Sequence, residues 1–177
     1  MKSSSVEEPP VCAFIGVGAN LGDPPSTLAQ ACRALAVSTG NRLVAMSSLY
    51  RSKPVDASGP DFYNAVVKIE TRLAPQALLD ATQAIERQHG RRHPYRNAPR
   101  TLDLDLLLYG DQTLVTDRLT VPHPRLGERA FALLPLLEIH PALKLPGVAD
   151  AAVWAHKLAR AQGIERLDFS WPSSALP

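Results

Sequence analysis

Few features of this sequence point toward an unusual environment. Two cysteines, Cys12 and Cys32, are too few for a disulfide framework, and neither lies in a CxxC pair or a zinc-like cluster. Both sit in apolar stretches and are expected as buried thiols. No apolar run approaches the roughly 18 residues that span a bilayer. Aromatic residues make up only 6% of the chain. Charge of one sign is also lacking: 19 Lys and Arg against 17 Asp and Glu give a net charge of +2. That near balance supplies no general attraction to nucleic acid or to an anionic membrane. Residues 1–10 are polar, lack the apolar stretch of a signal peptide, and are expected to form a disordered leader. Residues 11–177 are expected to form one domain, in the cytoplasm.

Proline is what the chain has in excess, at 16 residues among 177. Average usage is about 5%. Proline is excluded from helix interiors and central strands, so the proline-free windows should hold the regular elements. These windows are 11–23, 26–53, 61–74, 76–93, 100–121 and 147–171.

Val11 to Gly18 reads as a buried strand closed by the glycine-rich turn Gly18-Ala19-Asn20-Leu21-Gly22. Pro24-Pro25-Ser26 opens a helix in which Leu28, Ala31, Cys32 and Leu35 recur at helical spacing. Leu43 to Tyr50 and Phe62 to Glu70 read as two further strands. Pro75 opens a second helix whose stripe runs through Leu78, Thr82, Ile85 and Glu86 to Gly90. Thr101 to Tyr109 alternates strictly, as a half-buried strand does. The order strand, helix, strand, strand, helix, strand predicts an α+β, ferredoxin-like βαββαβ core. Its antiparallel sheet would carry both helices on one face and leave the other for a ligand or later segments. A C-terminal extension should follow, with an edge strand over 112–119, a short helix from Glu128 ending near Pro135, and a last helix over Ala149 to Gln162.

Within the alternating strand, Asp103 and Asp105 project from one face and Leu102, Leu104 and Leu106 from the other. Two carboxylates so close repel each other unless a cation compensates them. Oxygen-only ligands suit Mg²⁺, which is typically held by one or two carboxylates and substrate phosphates. Pairing of both aspartates with nearby arginines is the alternative. Just upstream, Arg87 to Arg100 holds five arginines and no acid. Arginine's planar fork suits phosphate, and such a loop beside a carboxylate pair suits a nucleoside triphosphate. Taken alone, the loop could equally be a solvated basic segment or a nucleic-acid patch. Prolines restrain His123 on both sides in Val121-Pro122-His123-Pro124-Arg125, so its ring could reach a phosphate oxygen. Phe62 and Asn64 share a strand face, where an aromatic and an amide could hold a flat heterocycle. Neither a Walker motif nor a dinucleotide fingerprint is present.

Five segments, in this order, resemble the 6-hydroxymethyl-7,8-dihydropterin pyrophosphokinase family. They are Gly16 to Asp23, Ser47 to Val55, Pro60 to Ala65, Pro99 to Asp105 and Val121 to Arg125, and the resemblance runs from Phe14 to Pro141. It implies a cytoplasmic folate-pathway enzyme that moves diphosphate from ATP to the pterin hydroxymethyl group and releases AMP. It further implies two Mg²⁺ ions on Asp103 and Asp105, with Arg91 and Arg100 assisting transfer. ATP would also meet Glu86, His123 and Arg129. The pterin would lie against Ser52, Pro54, Val55 and Asn64, between Phe62 and Phe131. A monomer is expected, acting on small molecules and not on nucleic acid or membrane. The chain departs from the family at Asn97, where a tryptophan is usual, in the shorter segment before Pro99, and at Gly127, where many relatives carry a larger polar residue. Two rivals from other classes are an RNA-binding ferredoxin-like module and another DxD metal-dependent transferase. The first requires exposed aromatics on the central strands.

Overall fold

The computed structural model describes residues 9–54, 59–90 and 101–175. Most of the expected leader, together with Val55 and the arginine-bearing stretch from Arg91 to Arg100, lies outside these residues.

The first strand is β1 (Val11–Ala19), followed by helix α1 (Pro24–Val37). Asp23 caps α1 by accepting from the Ser26 N–H, and Pro24 supplies the fixed φ of a first turn. The expected second strand is interrupted. It divides into β2 (Asn41–Met46) and β3 (Tyr50–Ser52), both paired with β4 (Phe62–Thr71). Between them the Ser47 hydroxyl accepts from the Val66 N–H and the Ser47 N–H donates to the Val66 carbonyl. Helix α2 (Pro75–Gln88) leads toward β5 (Asp103–Tyr109).

The sheet order is β5-β1-β4-β3, with β2 also on β4 and every pairing antiparallel. This is the expected ferredoxin-like arrangement. Residues Ala13, Ile15 and Val17 of β1, Ala65, Val67 and Ile69 of β4, and Leu104 and Leu106 of β5 face the core against Leu28, Leu35, Leu78 and Ile85 of α1 and α2. The opposite face is not left open along its length. Phe14, Val66, Leu107 and Leu108 pack there against α3 (Ala130–Ile139) and α4 (Ala151–Gln162). Strict alternation in β5 holds only as far as Leu106. A register shift opposite Phe14 and Ile15 makes Leu107 an extra residue, so Leu107 and Leu108 both join this second cluster.

Two C-terminal expectations need correction. The edge strand over 112–119 is instead a small separate hairpin, β6 (Leu114–Val115) and β7 (Thr120–Val121). The helix expected to stop near Pro135 runs on to Ile139. Pro135 is buried between Leu133 and Leu136, both fully buried, and this apolar packing outweighs the lost backbone bond. After α4, capped by Asp150 and ended by Gly163 at φ 62°, the chain adds an unexpected edge strand, β8 (Glu165–Arg166), on β3. Of the two cysteines, Cys32 is buried and its thiol is pushed up to about 12 by burial, while Cys12 is only half-buried. Among the described residues, no helix is long and apolar enough to cross a membrane.

Candidate active site

The sheet register builds the site. Gly18 of β1 lies between Asp103 of β5 and Asn64 of β4, and Gly16 lies between Asp105 and Val66. Two rows of residues therefore cross three strands on the face that α3 partly covers. Where a side chain on β1 would separate the aspartates from Asn64, there is only glycine. The resulting cleft is lined by Gly16, Gly18, Asn64, Asp103, Asp105, Leu107 and Phe131. Phe131 comes from the first turn of α3, so the helix that closes one end of the sheet also contributes an aromatic wall.

Each cleft residue is held by its element. Leu102 and Leu104, flanking Asp103, are buried at 0% and 4% exposure and lock the strand so that both aspartates face outward from the helical core. Behind them, buried Glu86 of α2 accepts the Leu104 N–H at 2.7 Å. Asn64 is 7% exposed, and its amide donates to the Ser52 hydroxyl at 3.3 Å. Arg129, at the N-terminus of α3, approaches Asp105 at 3.4 Å and lies 5.6 Å from the centre of the Phe131 ring. Asp105 thus has the arginine neighbour that the structural alternative required.

His123 sits after the cis Val121–Pro122 bond. Its N–H donates to the Leu107 carbonyl, which ties the loop to β5. Its Nδ1 accepts the Arg125 N–H at 3.1 Å, so the ring proton of the neutral form belongs on Nε2. Burial lowers the pKa of the imidazole, the Arg129 and Arg125 charges lower it further, and Asp103 opposes them.

The structure brings Asp103, Asp105, Asn64 and Phe131 to one cleft, with Ser52 reaching it through Asn64 and Arg129 through Asp105. Phe62 lies two residues before Asn64 at the start of β4 and is half-buried, outside the cleft lining. Pro54 follows β3 and is half-buried. Val55, Arg91 and Arg100 are outside the described residues. Sequence reasoning missed Gly16 and Gly18 as cleft walls, because it read Gly16 only as part of a buried strand and Gly18 as the start of a turn. Their period-2 spacing, matching that of Asp103 and Asp105, was the available signal.

The two carboxylates fit a hard divalent cation: they offer only oxygen, share one strand face, and stand opposite residues without side chains. Among the described residues no third His, Cys, Asp or Glu joins them in a metal-binding group.

Fold and cleft together describe a small α+β protein of the ferredoxin-like class whose cleft gathers a carboxylate pair, an amide and an aromatic ring. The family model for 7,8-dihydro-6-hydroxymethylpterin-pyrophosphokinase (HPPK) matches residues 14–141. A 2-amino-4-hydroxy-6-hydroxymethyldihydropteridine pyrophosphokinase of Pseudomonas aeruginosa is 45% identical over 157 residues, covering 87% of this chain and 95% of that protein. The Haemophilus influenzae protein of that name is 44% identical over 137 residues, covering 77% of this chain and 86% of that one. The chain belongs to the HPPK family. Among solved structures, a crystal structure of Plasmodium falciparum HPPK-DHPS superposes with a TM-score of 0.70 at 14% identity. It covers 92% of this chain, which spans only 48% of that longer one, and it supports the fold alone.

Proposed function

We propose that this chain transfers diphosphate from ATP to the hydroxymethyl group of 6-hydroxymethyl-7,8-dihydropterin, giving AMP and the pterin diphosphate in folate biosynthesis. Family membership supports the reaction. The observation that carries the assignment to this cleft is the row Asp103–Gly18–Asn64, which puts a carboxylate pair and a buried amide on opposite sides of a glycine gap. ATP is the co-substrate.

Asn64 would hydrogen-bond the pterin ring edge, with Ser52 fixing the amide's orientation and Phe131 stacking on one face. Phe62, Pro54 and Val55 complete the proposed pterin side. Asp103 and Asp105 would hold Mg²⁺, two ions in the full reading, which neutralises phosphate charge and makes the attacking hydroxyl more acidic. Arg129, beside Asp105 in the structure, would exchange that contact for a phosphate oxygen as ATP enters. His123 offers an Nε2–H to the same oxygens. Arg91 and Arg100 would supply further positive charge, and Glu86 would support the nucleotide side through α2. ATP brings about four negative charges, so alignment and electrostatic stabilisation carry most of the rate.

The reading also takes the chain as one domain over residues 11–177, monomeric, cytoplasmic and without a nucleic-acid partner. An RNA platform needs aromatics exposed on the central strands, whereas Phe14 is 5% exposed and stacked against His140 at 4.9 Å. The test is to incubate the protein with Mg²⁺, ATP and the hydroxymethylpterin and separate AMP from ADP. AMP formed only when the pterin is present is expected; ADP, or turnover indifferent to the pterin, overturns the reading.

A further inference from the structure

Outside the cleft, a dense long-range polar cluster gathers on one carboxylate. Glu138, near the end of α3, accepts from the Ser48 N–H at 3.1 Å, the Ser48 hydroxyl at 2.7 Å and the Tyr50 hydroxyl at 3.0 Å. Arg166 of β8 approaches the same carboxylate at 3.5 Å and donates to the Ser48 hydroxyl at 2.7 and 2.9 Å. One side chain therefore joins α3, the entry to β3 and the C-terminal edge strand. These contacts are far apart in sequence, and the glutamate's side chain is 30% exposed.

Both elements that Glu138 ties together serve the cleft. Helix α3 carries Phe131, and β3 carries Ser52, which holds the Asn64 amide. Tyr50 is also the direct cross-strand partner of Asn64. Strand β3 has only three residues, too few to fix its own position. The C-terminal segment secures it from the other side: Tyr50 pairs with Arg166, Arg51 meets Glu165 at 2.6 Å, and the Leu167 N–H donates to the Leu49 carbonyl. Tyr50 is 7% exposed, and burial with the Glu138 carboxylate raises its phenol pKa, which keeps it a donor.

We propose that Glu138 is a positioning residue for the pterin side of the site: by bonding Ser48 and Tyr50, and with Arg166 of β8, it sets the distance between the Asn64–Ser52 pair on the sheet and Phe131 on α3. This rests on the proposed function. A slack junction lets the amide and the aromatic wall drift apart, which weakens pterin binding while leaving the carboxylate pair on β5 in place.

The experiment compares Glu138→Gln, Tyr50→Phe and the core variant Leu28→Ala with the wild type, reading KM for each substrate, kcat and Tm. The pterin KM is expected to rise about tenfold in Glu138→Gln and several-fold in Tyr50→Phe, with ATP KM and kcat within about twofold. Leu28→Ala should lower Tm without moving the pterin KM. Tyr50→Phe removes one buried hydroxyl and keeps the test open should Glu138→Gln not fold. An unchanged pterin KM, or equal rises in both KM values, overturns the inference. A wild-type protein without pterin-dependent AMP formation overturns the proposed function and this inference with it.

Discussion

Gly18 and Asn64 face each other across β1 and β4 so closely that a Cβ on Gly18 would stand 2.8 Å from the Asn64 Oδ1. The asparagine amide lies in space that only a glycine leaves. By contrast, a Cβ on Gly16 would meet Leu107 at ordinary contact distance, 3.5 Å. The first prediction uses this difference. Gly18→Ala forces Asn64 off its Ser52 bond, so the pterin KM should rise by at least about tenfold and stability should fall by about 1–3 kcal/mol. Gly16→Ala should cost less than about 1 kcal/mol. Steady-state kinetics and urea midpoints check both. Equal behaviour of the two alanines would contradict the close approach.

Asp103→Asn and Asp105→Asn preserve shape and remove charge. Each should lower kcat by about a thousandfold or more, the scale of losing a transition-state electrostatic group. Stability should change little, because two repelling carboxylates become one. Thermal melts with and without Mg²⁺ provide a second readout: Mg²⁺ with an ATP analogue should raise the wild-type Tm and leave the variants' Tm nearly unmoved. A Tm loss as large as the activity loss would favour a structural role instead.

Glu86 offers a contrast to the half-buried aspartate pair. It is 3% exposed and accepts the Leu104 N–H. Glu86→Ala leaves that buried donor unsatisfied and should destabilise the fold by at least about 1–3 kcal/mol. Chemical denaturation measures this directly. A variant of unchanged stability with a raised ATP KM would place the role of Glu86 at the nucleotide rather than behind β5.

The fourth prediction concerns pH. His123 has a folded pKa below its ordinary value of 6.5, because burial and the Arg129 and Arg125 charges disfavour the cation. The unfolded chain therefore binds the proton more readily. The histidine's contribution to stability is fully present above the unfolded pKa and is lost as pH falls through the folded one. Protonation also turns Nδ1 from acceptor to donor and breaks its bond with the Arg125 N–H. The Tm advantage of wild type over His123→Gln should therefore shrink between about pH 7.5 and about pH 5. A constant difference would mean that His123 titrates alike in both states.

Much of the core was legible beforehand. Proline placement and hydrophobic period marked α1, α2 and the strands, because both are local properties of the chain. The broken second strand and the hairpin at 114–121 were less legible. Ser47 leaves the ladder to bond Val66, a neighbour the local pattern does not name. The persistence of α3 through Pro135 likewise comes from burial by segments distant in sequence. Of the candidate site, the aspartates were readable from period-2 alternation alone, and the asparagine from the strand face it shares with Phe62. The phenylalanine of α3 was placed by resemblance, and the glycines were misjudged, because strand register is a pairing between distant segments.

By itself the sequence determined the order of the βαββαβ core, the apolar stripe of each core helix, and the shared face of Asp103 and Asp105, since covalent geometry sends alternate strand residues to opposite sides. Tertiary structure alone decided what those carboxylates face. It set Gly18 between Asp103 and Asn64, turned Phe131 over the same cleft, and closed Glu138 onto Ser48 and Tyr50. Those relations depend on strand register and helix docking, which are settled only when the whole chain buries its apolar faces together.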